Sequence, residues 1–465
     1  MTTTNLTKST RGRWIQEWNP EDAQFWETTG RSVANRNLWI SVPALLLAFS
    51  VWMVWSVVVV KLKAIGFKFS EAQEFWLTAL PALTGATLRI FYSFTVPIFG
   101  GRNWTVISTV SLLVPAVGIG VAVQRPETPY WVFVMLALLC GFGGGNFASS
   151  MANINYYFPK ARKGTALGLN AGLGNLGVSF MQWLVPLVIS AGYFGALGGV
   201  AQTAVEKGGT RHIWLQNAGF VWIPMIVLVV LAAWFGMNNL EGAKASFRDQ
   251  AVIFQRKHNY IMCWLYLGTF GSFIGYSAAF PKLIKVAFAD VDPLKYAFLG
   301  PLVGALARPV GGWIADKLGG ARVTFWNFLA MIIAVLGVLH FLKSGSFTGF
   351  FTSFLLLFLT TGIGNASTFK MIPVIFLNER LGEAKGKGPT AETEARKAAA
   401  KESSAILGFS SAIGAYGGFL IPITFGNAIK NGVPQQALWL FLVFYLTCLA
   451  VSWWYYARKH AEAPC

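Results

Sequence analysis

The chain has 465 residues, of which 55% are hydrophobic and only 12% charged, with a formal net charge of +18. A soluble protein carries about twice that charged fraction, so composition and a mean hydropathy of +0.53 exclude an ordinary soluble enzyme or nucleic-acid-binding domain. Apolar runs of about 20 residues recur along the whole length, the pattern of a polytopic helical membrane protein, and no alternating strand pattern appears.

Residues 1–36 form a polar tail before the first apolar run, with no cleavable signal peptide. Within it, Asn19-Pro20-Glu21-Asp22 reads as a helix cap, a proline at the first helical position and acids in the first turn. Trp14, Trp18, Phe25 and Trp26 flank this start, and the pattern predicts a short helix lying on the inner membrane surface. Twelve spans follow, at about 37–62, 72–98, 103–123, 129–158, 162–192, 213–237, 259–286, 293–316, 321–343, 347–377, 403–429 and 436–457. The polar stretch 238–257, with Lys244, Arg248, Asp249 and Arg256, separates a bundle at 37–237 from a bundle at 258–458. Residues 459–465 form a closing tail. The loop at about 378–402 holds a stretch, Thr390–Lys401, of helical composition but without an apolar face, so it is expected to be solvated.

The positive charge is chiefly a topological signal. About 23 of the 37 Lys and Arg fall on the side of the N-terminus and about 11 on the other. Among the first set are Arg11, Arg13, Arg31, Arg36, Lys160, Arg162, Lys163, Arg256, Lys257, Lys385, Lys387, Arg396 and Lys397. Both termini are therefore expected in the cytoplasm. Cys140, Cys263, Cys448 and Cys465 are scattered and fit no metal or redox spacing.

The two halves repeat each other. Gly85-Ala86-Thr87-Leu88-Arg89 in span 2 matches Gly304-Ala305-Leu306-Ala307-Arg308 in span 8, at a separation of 308 − 89 = 219 residues. The glycine run Gly168, Gly172, Gly174, Gly177 in span 5 aligns with Gly408, Gly414, Gly417 in span 11. Ala148-Ser149-Ser150 in span 4 echoes Ala366-Ser367-Thr368 in span 10. Three matches in the same order describe a parallel repeat of two six-span bundles. After Arg308, Gly312…Asp316-Lys317…Gly319…Arg322 resembles the loop between spans 8 and 9 of the major facilitator superfamily. Asp316, Lys317 and Arg322 are expected to act as a conformational latch, with Asp316 paired to basic residues and a neighbouring helix N-terminus. The first-half counterpart, Pro97 to Arg102, lacks the acid.

Arg89, Arg308 and Lys370 are read as cations within spans, with no Asp or Glu deep inside any span. An uncompensated buried cation is very costly, and a bound anion resolves the cost. Guanidinium groups offer parallel N–H donors to planar oxyanions, so two facing arginines suit nitrate, nitrite, formate or bicarbonate. Phe147, Tyr266, Phe270 and Phe369 are placed to wall such an ion, with Ser411 nearby. Asn175 either donates to the anion or makes an interhelical bond. Glycine faces let helices approach and slide, and these are read as the surfaces on which the bundles rock. Lys370 is either a titratable coupling group or a side chain reaching to the cytoplasmic surface.

With these residues in view, the chain resembles the nitrate/nitrite porter family (NarK-type) of the major facilitator superfamily. Its two glycine-rich signature segments stand here as Ala166–Gly177 and Gly408–Phe419, and its two span arginines as Arg89 and Arg308. Arg36–Pro43, Asn146–Asn153 and Thr269–Gly275 look alike as well. The resemblance implies an all-α, twelve-helix major facilitator fold in a bacterial inner membrane. It implies a substrate of nitrate or nitrite held by Arg89 and Arg308, with Phe147, Tyr266, Phe270 and Phe369 shaping the site and Asn175 lining it. No cofactor, metal or nucleic acid is expected, and two bundles in one chain make a monomer sufficient. Ala171 and Lys370 depart from the family pattern, which can have glycine and a neutral polar residue there. The mechanism implied is rocker-switch exchange; proton-coupled nitrate symport is the alternative. A transporter-like sensor would need an output domain, and no nucleophile–base set or phosphate loop points to an enzyme.

Overall fold

The computed structural model describes residues 14–206, 209–241 and 251–465. Among these, ten helices are long and apolar enough to cross a membrane: α1 (Ala23–Ile65), α3 (Gly101–Ala122), α4 (Tyr130–Tyr157), α5 (Lys160–Val188), α6 (Asn217–Gly236), α8 (Pro293–Leu318), α9 (Gly320–Ser344), α10 (Phe347–Ala384), α11 (Pro389–Lys430) and α12 (Gln435–Ala457). Two further helices complete the twelve. α2 (Glu71–Tyr92) carries Glu71, Glu74 and Arg89. α7 runs from Lys257–Tyr266 through a π turn at Leu267–Gly271 to Ser272–Ala287.

Local chemistry sets several boundaries. Ser70 opens α2 with a capping box, its Oγ accepting from Gln73 N while Gln73 Oε1 accepts from Ser70 N. Ser346 caps α10 by accepting from Gly349 N. Within the first half, α2 and α1 pack on α4, and α1 on α5; within the second, α10 packs against α8, α9 and α11. The halves meet where α2 packs on α11, α5 on α8 and α1 on α7.

Glycine makes the closest approaches possible. A Cβ at Gly144 would stand 2.7 Å from the Gly85 Cα, so α2 and α4 touch backbone to backbone. Three of the glycines expected to form rocking surfaces pack within one half instead: Gly174 and Gly177 on Leu45 and Leu46 of α1, and Gly417 on Gly271 of α7.

Three further expectations are revised. The N-terminal segment is not a separate short helix but runs on into the first span from Ala23. Asp22 caps it by accepting from Phe25 N, and it docks on the first half through Trp18 Nε1, which donates to Tyr156 O, and through Trp26 beside Phe158. Trp14–Ile15 (β1) pairs in parallel with Asn239–Leu240 (β4), while Gln202–Glu206 (β2) and Gly209–Ile213 (β3) form a hairpin on the opposite face. The expected loop at 378–402 is largely helix, because α10 runs to Ala384 and α11 starts at Pro389. Ala395 and Ala399 of that stretch are buried, so it has a packed face made of small residues. Residues 242–250 of the inter-bundle linker, and Arg11 and Arg13 of the tail, lie outside the described residues.

The latch is also arranged differently. Asp316 pairs with Lys370 of α10 at 2.5 Å, Lys317 lies over the Trp313 ring at 4.0 Å, and Arg322 is exposed. The start of α9 is instead met by the closing tail, with Ala321 N donating to Cys465 O at 3.1 Å. The first half does the same with other residues: Arg102 N and Asn103 N, at the start of α3, donate to Asn239 Oδ1. Both helix starts follow a left-handed glycine, Gly100 (φ 83°) and Gly319 (φ 88°), again 319 − 100 = 219 residues apart. The segment that follows each six-helix half thus caps the third helix of that half.

Candidate functional site

Arg89 projects from the last turn of α2 and is 1% exposed. Its Nε donates to Gly144 O at 2.9 Å and its Nη1 to Ser411 O at 3.0 Å, so it joins α4 of its own half to α11 of the other. Its Cζ lies 4.7 Å from the Phe147 ring centre, 5.1 Å from Phe270 and 5.2 Å from Trp52. Three ring faces partly replace the water a guanidinium loses on burial. The remaining nitrogen, Nη2, is buried without a protein partner.

Arg308 faces it from α8. Its Cζ is 5.3 Å from the Phe369 ring, and its Nη1 is likewise buried without a protein partner. Tyr266 links the two walls. Its ring stacks on Phe270 at 5.3 Å and 15° and lies 4.5 Å from Phe369, while its hydroxyl donates to Asn365 Oδ1 at 2.6 Å. The π turn after Tyr266 lies between it and the rest of α7. Phe147 and Phe270, from opposite halves, stack at 6.5 Å and 28°.

The arginines and the four aromatic residues are thus brought together. Ser411 is present through its carbonyl rather than its hydroxyl, which donates to Gly408 O. Asn175 is 1% exposed, and its Oδ1 has no protein partner. Gly414 packs against Tyr266 and Phe270. Gly408 lies one turn from Ser411 toward the face that carries the termini. It borders open space there, as do Gly168 and Gly172 in the matching stretch of α5. On the far side of the arginines the halves are joined: Thr87 Oγ1 and Tyr416 OH lie 2.8 Å apart, and Gln182 Nε2 donates to Ser277 O. The halves are therefore hydrogen-bonded to each other on the side away from the termini.

Lys370 does not belong to this buried group. Its side chain is 47% exposed and ion-paired with Asp316, which corrects its reading as a titratable cation in the core. An exposed pair contributes about 0–1 kcal/mol. Lys370→Gln is therefore expected to change substrate exchange by less than about fivefold, with no change in its pH profile, as measured by tracer uptake.

Sequence reasoning missed Trp52, Asn365 and the Gly144 carbonyl. It also missed the buried Lys61 and Lys282, and the full burial of Glu74, which is 0% exposed. Lysines and acids near span ends read as interfacial, which hid them. Among the described residues no group of His, Cys, Asp and Glu could hold a metal ion.

Two packed halves with facing arginines between them define a membrane carrier of the alternating-access kind. The Major Facilitator Superfamily model matches residues 41–386. The chain is 50% identical to the nitrate/nitrite transporter NarU of Escherichia coli (strain K12), over 96% of both chains. It is 42% identical to the probable nitrate/nitrite antiporter NarK2 of Thermus thermophilus, over 99% of this chain and 100% of that one. A crystal structure of a bacterial homologue of the human lysosomal transporter Spinster superposes with a TM-score of 0.61 at 16% identity, covering 91% of this chain and 96% of that one; that likeness concerns the fold alone. The chain belongs to the Major Facilitator Superfamily and, within it, to the nitrate/nitrite porters.

Proposed function

We propose that this protein exchanges nitrate for nitrite across a bacterial inner membrane, holding the anion between Arg89 and Arg308. The observation that carries the reading is the pair of guanidinium nitrogens, Arg89 Nη2 and Arg308 Nη1, each buried without a protein partner. Each arginine thus has an N–H donor to spare, and a flat anion with oxygens in one plane can accept from both. Phe147, Phe270, Tyr266 and Phe369 border the same space, and such rings suit a delocalised planar ion better than a tetrahedral one. The resemblance to the porter family further assigns Asn175 of α5 to the lining of the site.

Exchange follows from charge. Without an anion the two guanidinium groups repel across the closing halves; with one, the repulsion is offset and the halves can rock. The carrier then returns only when loaded. The excess of Lys and Arg on the side of the termini supports a cytoplasmic placement of that face, and one chain with both halves supports a monomer. Lys370, exposed and paired, no longer favours proton symport.

The test is nitrate uptake into proteoliposomes loaded with nitrite or left empty, with and without an inward proton gradient. Uptake confined to nitrite-loaded vesicles is expected. Uptake into empty vesicles that depends on the proton gradient would replace exchange with symport.

A further inference from the structure

Glu71 and Glu74 of α2 sit between two lysines on the face away from the termini. Lys282 of α7 is ion-paired with Glu71 at 2.5 Å and also with Glu74; Lys63, in the last turn of α1, is ion-paired with Glu71 and lies 3.9 Å from Glu74. Glu74 is 0% exposed and the Lys282 side chain 4%. Lys63 and Lys282 are 282 − 63 = 219 residues apart, the same offset that relates Arg89 to Arg308. Each half contributes one basic residue to each group: the arginines to the buried site and the lysines to the cluster at the far face. At the buried site the paired cations have N–H groups to spare. At the far face the same kind of pair is filled by two carboxylates.

A carboxylate is a planar, delocalised oxyanion with one negative charge, as are nitrate and nitrite. For substrate to cross the far face the halves must part here, because Lys282 belongs to α7 and its carboxylate partners to α2. Parting leaves a formerly buried ammonium without a counter-charge at the mouth of the new cleft, a costly condition that an arriving anion relieves. We propose that Lys63 and Lys282 form an encounter site for the planar oxyanion at the far face, and that Glu71 and Glu74 occupy it as substitutes while that face is closed. The substrate's admission is then a ligand exchange on Lys282. This inference rests on the anion-exchange reading and adds a second place where the chain meets its substrate.

The sign of two substitutions separates an encounter site from a structural ion pair. In membrane vesicles of known sidedness, Lys282→Gln is expected to raise the apparent KM for nitrate at the far face about tenfold, the loss of one charge-assisted contact. The KM at the face of the termini is expected to stay within twofold. Glu71→Gln/Glu74→Gln removes the internal competitors and is expected to lower the far-face KM, while Lys282→Arg keeps it near the original value. Lys63→Gln, at a half-exposed position, gives a smaller rise and serves if Lys282→Gln does not fold. Shifts of the same sign for lysine and glutamate variants, equal shifts at both faces, or no shift at all would overturn the encounter site. Running the unaltered carrier with formate as well as nitrate keeps the two readings apart. Exchange of formate but not nitrate would refute the proposed substrate, while the sign test could still be read with formate.

Discussion

Replacing Arg89 by alanine is expected to abolish nitrate–nitrite exchange and to leave a folded carrier. The guanidinium is 1% exposed, donates to two carbonyl oxygens and lies against three rings, with no carboxylate paired to it among the described residues. A buried cation without a counter-charge is a burden on the empty protein, and its removal offsets part of the cavity cost of truncating so large a side chain. The substrate loses far more. Charge-assisted hydrogen bonds contribute about 1.5–3 kcal/mol each, and losing two of them reduces uptake by roughly 100-fold or more. Arg89→Lys keeps the charge but not the planar fork, and Lys cannot donate to Gly144 O, to Ser411 O and to an anion in the same plane. It is expected to fail nearly as badly. Tracer uptake in proteoliposomes, beside a thermal melt of the same preparation, reads both halves of the expectation. Uptake within tenfold of normal in Arg89→Ala would mean that the anion is held elsewhere.

The arginines were legible in the sequence because a guanidinium in a long apolar run has few tolerable explanations. Their equal surroundings, Gly-Ala-x-x-Arg in each half, gave the offset of 219 and with it the two-bundle plan. The aromatic walls were legible only as a supply of rings, since nothing in one dimension says that Phe147 and Phe270 stack across the halves. The lysine–glutamate cluster was hidden by its position. Glu71 and Glu74 fall in the first turn of α2, where acids are ordinary, and Lys63 and Lys282 near span ends, where lysines commonly reach for water. Of the two readings left open for Lys370, the side chain that reaches the surface is the one that fits, and its partner, Asp316, comes from a different helix and so was not legible.

The glycines were recognised in sequence, but the direction each one faces was not, and that decides what a substitution does. At Gly144 a Cβ would meet the Gly85 Cα at 2.7 Å and Trp52 Cε2 at 2.6 Å, and the Gly144 carbonyl is the acceptor for Arg89 Nε. Gly144→Val must push α2 and α4 apart. Overpacking of this kind costs about 1–3 kcal/mol or more, and the shift also displaces the arginine. The variant is expected to melt several degrees lower and to lose uptake. At Gly168 nothing lies within 4 Å of the added atom, and alanine is the better helix former by about 1 kcal/mol. Gly168→Ala should therefore melt no lower than the original chain. Its uptake is nevertheless expected to fall several-fold, because the open space that Gly168 borders must close when the halves rock. Paired melts and uptake assays would then show Gly144→Val losing stability together with function, and Gly168→Ala losing turnover alone. Full uptake in Gly168→Ala would mean that this stretch of α5 stays open throughout the cycle, and the closing motion would have to be sought on another helix.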